Sequence, residues 1–66
     1  MHIILNGERT EVADNMTAQA LIEQLDLVDR RLALEINKEI VLRGEYAAYI
    51  LQTDDQVEIV HAIGGG

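Results

Sequence analysis

The sequence predicts an α+β domain, a mixed sheet of about five strands with one main helix packed on one face. Three features predict it. Apolar residues alternate with period two at both ends of the chain, at Met1, Ile3 and Leu5 and again at Val57 and Ile59. Between them, Ala18, Leu21, Ile22 and Leu25 fall at i, i+3, i+4 and i+7, the spacing of one helical face. Two asparagine-led pairs, Asn6-Gly7 and Asn37-Lys38, stand where adjacent strands need tight turns.

The elements follow in order. Met1, Ile3 and Leu5 share one face of the first strand, and His2, Ile4 and Asn6 the other. Asn6-Gly7 suits the positive φ angles of a type I′ turn, so Glu8 to Ala13 is expected to return as a second strand anchored by Val12. Asp14 and Asn15 mark a turn, and the Thr17 hydroxyl can accept an orphan N–H as helix N-cap. Gln19, Glu23 and Gln24 occupy the wet side of that helix; Leu27 and Val28 lie in its exit loop, and Asp29, Arg30 and Arg31 form a polar connection. Leu32 to Ile36 reads as the third strand, with Leu34 and Ile36 inward and Glu35 outward, and Glu39 to Leu42 as a short fourth. Arg43 to Tyr49 breaks the alternation and is expected to hold a short helical turn containing Tyr46. Thr53-Asp54-Asp55-Gln56 is turn chemistry, because aspartates bond readily to nearby backbone, and Val57 to His61 is the final strand. With the first and last strands parallel neighbours and the helix across the sheet, Ile3, Leu5, Leu21, Leu25, Ile36, Val57 and Ile59 are buried together. That arrangement is a β-grasp. Residues 1–62 form the domain, and 63–66 a flexible C-terminal glycine tail.

Composition narrows the function. With 66 residues the chain is one small domain, and 48% hydrophobic content supplies a compact core without disulfides, since there is no cysteine. The same lack removes thiolate metal sites and cysteine nucleophiles. A formal charge of −7, twelve acids against five bases, repels phosphate backbones and anionic lipid, so neither nucleic acid nor membrane is an expected partner. That charge keeps a small domain soluble and monomeric, or steers it toward a basic partner. The apolar opening Met1 to Leu5 is too short for a secretory signal or a membrane span, and the cytoplasm is the expected location.

Enzyme constellations are hard to find. Gly7 and Gly44 are isolated, so no glycine-rich phosphate loop exists, and His2 and His61 are the only histidines. A metal site would need carboxylates converging on both, and none is expected. Asp54-Asp55 sits in a turn, and Glu8, Glu11, Glu35 and Glu58 read as outward strand positions rather than a pair in a shaped pocket. Catalysis within the chain is not expected.

The remaining feature is the ending, Val60-His61-Ala62-Ile63-Gly64-Gly65-Gly66. A frayed end can have the same composition. Glycines, however, thread a narrow channel that a larger side chain would block. From Ala62 onward an extended tail reaches roughly 17 Å, enough to carry the Gly66 carboxylate into another protein's active site. A carboxylate becomes an electrophile only after conversion to something like an acyl adenylate. With no nucleotide site in the chain, ATP and magnesium fall to a partner. The activated acyl group can then accept sulfur, and no internal thiol competes for it.

Several stretches together resemble the ThiS family, the ubiquitin-like sulfur carriers of thiamine thiazole biosynthesis. They are Asn6-Gly7, Thr17-Ala18-Gln19-Ala20-Leu21-Ile22, Ala33 to Val41, Asp54 to Val60, and the terminal Ile63-Gly64-Gly65-Gly66. The resemblance covers essentially the whole chain. It implies adenylation of Gly66 by a ThiF-type adenylyltransferase, sulfur from a cysteine desulfurase persulfide, and delivery of the Gly66 thiocarboxylate to thiazole synthase (ThiG). It implies partner contacts at Ile63, Gly64 and Gly65 in the tail, no bound cofactor, and a co-substrate rather than an enzyme. Leu42-Arg43 departs from the family, which often has proline before that arginine. Outward apolar residues at Ile4 and Val60 are expected to add a docking patch on the helix-free sheet face. MoaD-like small subunits of molybdopterin synthase have the same fold and tail chemistry, but tend to be longer and to carry phenylalanine near the end, which this chain lacks. A protein modifier joined through Gly66, or a binding module with an idle tail, are the other readings.

Overall fold

A computed structural model describes residues 1–61 of the chain. Five strands form one mixed sheet in the order β2-β1-β5-β3-β4, with β1 His2–Leu5, β2 Glu8–Glu11, β3 Leu32–Ile36, β4 Glu39–Val41 and β5 Gln56–His61. The helix α1, Ala18–Gln24, lies across it, and a 3-10 turn, Arg43–Glu45, follows β4. β1 and β5 are parallel neighbours at the centre, joined at Ile4 to Gln56 and Leu5 to Val57, while the other three pairings are antiparallel. This is the expected β-grasp.

Local chemistry explains the boundaries. Asn6 and Gly7 have φ of 47° and 84°, and Asn37 and Lys38 have φ of 53° and 71°, so both hairpins turn through paired positive-φ residues. Thr17 Oγ1 accepts the Ala20 N–H at 3.0 Å and starts α1. The helix stops at Asp26, whose positive φ of 59° lets the Asp26 and Leu27 N–H groups return to the Glu23 and Ile22 carbonyls, both at 3.0 Å. That double bond pattern is a Schellman closure, and Leu27 then packs against the core.

The core holds Ile3, Leu21, Leu34, Ile36, Leu51 and Val57 as its largest fully buried side chains. Two expected core members differ. Leu25 falls at the helix C-cap and is 36% exposed, because α1 ends one residue before it. Leu5 is only partly buried, at the end of β1, packed against the core rather than within it. The second strand ends at Glu11, leaving Val12 buried just beyond it, and the fourth ends at Val41. Tyr46 is buried at the end of the 3-10 turn, as the interrupted alternation implied. Among the described residues no helix is long and apolar enough to cross a membrane.

Candidate functional site

The tail follows β5 in the sequence, and this strand is held at its start, middle and end. At its start, buried Asp55 accepts the Gln52 N–H at 2.8 Å and the Asn37 side-chain amide at 2.9 Å. Asn37 in turn accepts the Gln56 N–H at 3.0 Å, tying β5 to the turn between β3 and β4. In the middle, β1 leaves its neighbour at the Asn6-Gly7 turn, and the Asn6 side-chain oxygen replaces it by accepting the Ile59 N–H at 2.9 Å. At the end, β3 alone continues alongside, with Leu32 opposite His61. His61 is the last described residue, so Ile63, Gly64, Gly65 and Gly66 lie outside the described residues.

The helix-free face of the sheet carries the other expected site residues. Ile4 is on it, partly buried and level with Gln56, and Val60 is on it with 70% of its surface exposed. They do not touch as a pair: Val60 lies four residues further along β5, about 13 Å at strand rise, with Glu58 between. Val60's neighbours are others. Ala33 stands directly opposite it on β3, and Ile40 and Leu42, both well exposed, alternate with buried Val41 onto the same face. Beside this apolar strip, Glu35 and Glu58 are directly opposed across β3 and β5. Like charges so placed repel, and neither has an ion pair among the described residues. Ala33, Ile40 and Leu42 went unnoticed in the sequence, although the alternation around Val41 marks the latter two.

His2 pairs with Asp54, and no cluster of three metal-ligating side chains exists among the described residues. The Tyr49 phenol is raised above its ordinary value of 10.0 by burial first, then by the Asp55 and Glu39 carboxylates, and so stays protonated. Gly7 and Gly44 stand apart in open space, far from forming a phosphate cradle.

The family model for ThiS matches residues 3–66. The chain belongs to the ThiS family. It is 38% identical to the sulfur carrier protein ThiS of Escherichia coli (strain K12), over the whole of both chains. The fold matches the crystal structure of the thiamine biosynthesis protein ThiS from Geobacter metallireducens with a TM-score of 0.84, at 26% identity and full coverage of both chains. It is also 46% identical to a thiazole synthase of Magnetococcus marinus and 39% identical to one of Paramagnetospirillum magneticum. In both cases all of this chain aligns, but it spans only 20% of the relative's length.

Proposed function

We propose that this chain is a sulfur carrier of thiamine thiazole formation, with the Gly66 carboxylate as its reactive group. The carrying observation is the fixing of β5: Asp55, Asn37, Asn6 and β3 hold the strand that runs into the glycine tail. A rigid root makes the position of a short tail predictable to a partner, and lowers the ordering cost of threading it.

The chemistry is supplied by partners. A ThiF-type adenylyltransferase using ATP and magnesium lets a Gly66 carboxylate oxygen attack the α-phosphorus, and pyrophosphate leaves. A persulfide from a cysteine desulfurase then attacks the acyl carbon and AMP leaves. Cleavage of the resulting acyl disulfide by a thiol frees the thiocarboxylate and oxidises that thiol to a disulfide. Thiazole synthase is the acceptor, a reading supported by the two thiazole synthases that contain a region similar to this chain. Ile63, Gly64 and Gly65 would line the partner's channel, and the Val60, Ala33 and Leu42 strip beside Glu35 and Glu58 would meet an apolar surface bearing cations.

The test is ATP–pyrophosphate exchange by a ThiF-type enzyme with the chain as substrate. Exchange that depends on the chain and disappears on deletion of Gly65 and Gly66 supports the carrier. Exchange unaffected by the deletion refutes it.

A further inference from the structure

Beside the tail root lies a groove that nothing above uses. Ile22, Leu32 and Tyr46 form its apolar floor, and the half-exposed side chain of Val28 stands at its lip. Its volume of about 130 Å³ is close to that of a cavity that takes a benzene-sized group, about 150 Å³. Arg30 and Arg43 flank it, with one carboxylate, Asp29. The Arg43 guanidinium donates to the Arg30 carbonyl at 3.0 Å, and the rest of its N–H fork has no acceptor among the described residues. Arg31 follows Arg30 directly. Three of the five basic residues of a chain with net charge −7 thus gather at one end, none with a carboxylate partner among the described residues.

Position gives this cluster a meaning. Leu32, which lines the groove, is the strand partner of His61, the last described residue before the tail. An enzyme that draws the tail end into its active site keeps the root within roughly 17 Å of that site. Arg30, Arg31 and the groove adjoin the Leu32 end of β3, next to the strand end from which the tail continues.

We propose that this groove docks an acidic segment of the adenylating enzyme, which places one apolar side chain on the floor and its carboxylates on Arg30, Arg31 and Arg43. The inference rests on the carrier reading. It adds a second recognition surface, opposite in sign to the Glu35 and Glu58 pair on the sheet face, so that orientation as well as encounter is set by charge.

The test compares two variants of equal charge change in ThiF-type pyrophosphate exchange. Arg30→Glu with Arg31→Glu alters the root; Arg9→Glu with Lys38→Glu alters β2 and the turn between β3 and β4. The root variant should raise the half-saturating carrier concentration by about tenfold with the maximal rate kept, and flatten its salt dependence. Val28→Asp should also raise it. The Arg9 and Lys38 variant should do little, and all should melt like the wild type, since these side chains are exposed. Equal effects of the two charge variants, or no effect of either, overturn the docking groove while wild-type exchange keeps the carrier reading standing. Absence of exchange with the wild type overturns both.

Discussion

Replacing Asp55 by alanine should cost this domain a large share of its stability. The carboxylate is 7% exposed and accepts two hydrogen bonds, from the Gln52 N–H and the Asn37 side chain. A hydrogen bond to a charged group contributes about 1.5–3 kcal/mol. Asn37 is exposed and can turn its amide to water, so the loss falls near the lower end of the sum, about 3 kcal/mol. A 66-residue domain at about 0.05–0.15 kcal/mol per residue has roughly 3–10 kcal/mol in all. The melting temperature should therefore drop by about 12–24 °C, at 4–8 °C per kcal/mol. Urea unfolding followed by circular dichroism measures the change, with the slope unaltered and the midpoint lowered. Asn37→Gly removes the partner side chain without straining its positive φ of 53°. The double variant should then lose less than the sum of the two, by about 0.5–3 kcal/mol of coupling. A loss below about 1 kcal/mol for Asp55→Ala, or strict additivity, would refute the view that this pair anchors β5.

Other consequences are as direct. Gly7→Ala should destabilise by about 1 kcal/mol because φ of 84° strains any Cβ, whereas Gly44→Ala, with open space and no positive φ, should shift stability by less than about 0.5 kcal/mol; thermal melts of the two separate backbone strain from crowding. Tyr49 has a raised folded-state value, so the folded protein keeps that proton longer than the unfolded chain does. Its contribution to stability is full below the unfolded value of 10.0 and is lost as pH rises through the folded one; Tyr49→Phe should remove that component of the alkaline stability profile. Val60→Asp places a charge on a residue that is 70% exposed and should leave the melting temperature nearly unchanged. Binding to a ThiF-type enzyme, read by calorimetry, should weaken by about tenfold, the effect of losing roughly 1.4 kcal/mol of apolar contact; unchanged binding excludes the strip from the interface.

Much of the fold was legible because local signals agreed. Asn6-Gly7 and Asn37-Lys38 name their turn type, and Thr17 and the Ala18, Leu21 and Ile22 spacing fix the start and face of α1. The helix end is not legible, because the Schellman closure at Asp26 uses an aspartate where glycine is the usual signal, and the i+7 spacing alone carries Leu25 into the core. Leu51 carries no sequence signal for a related reason: it belongs to no strand, and its N–H reaches the Met16 carbonyl at 2.8 Å beside an isolated bridge between Thr17 and Ile50. The site divides the same way. Glycines at a terminus are visible as composition, but the bonds that pin β5 join residues 18, 19 and 53 positions apart. Arg30 and Arg31 read as a polar connection until the fold brings Arg43 across to the Arg30 carbonyl.

Intact mass spectrometry of the chain taken from cells, before and after a thiol-alkylating reagent, tests the carrier most directly. The chain has no cysteine, so alkylation can reach no thiol but a terminal thiocarboxylate. An oxygen-to-sulfur mass increase that vanishes into a single alkyl adduct mapped to Gly66 is the predicted result. A mass that stays unmodified, even when the chain is supplied with ATP, a ThiF-type enzyme and a persulfide source, would contradict it.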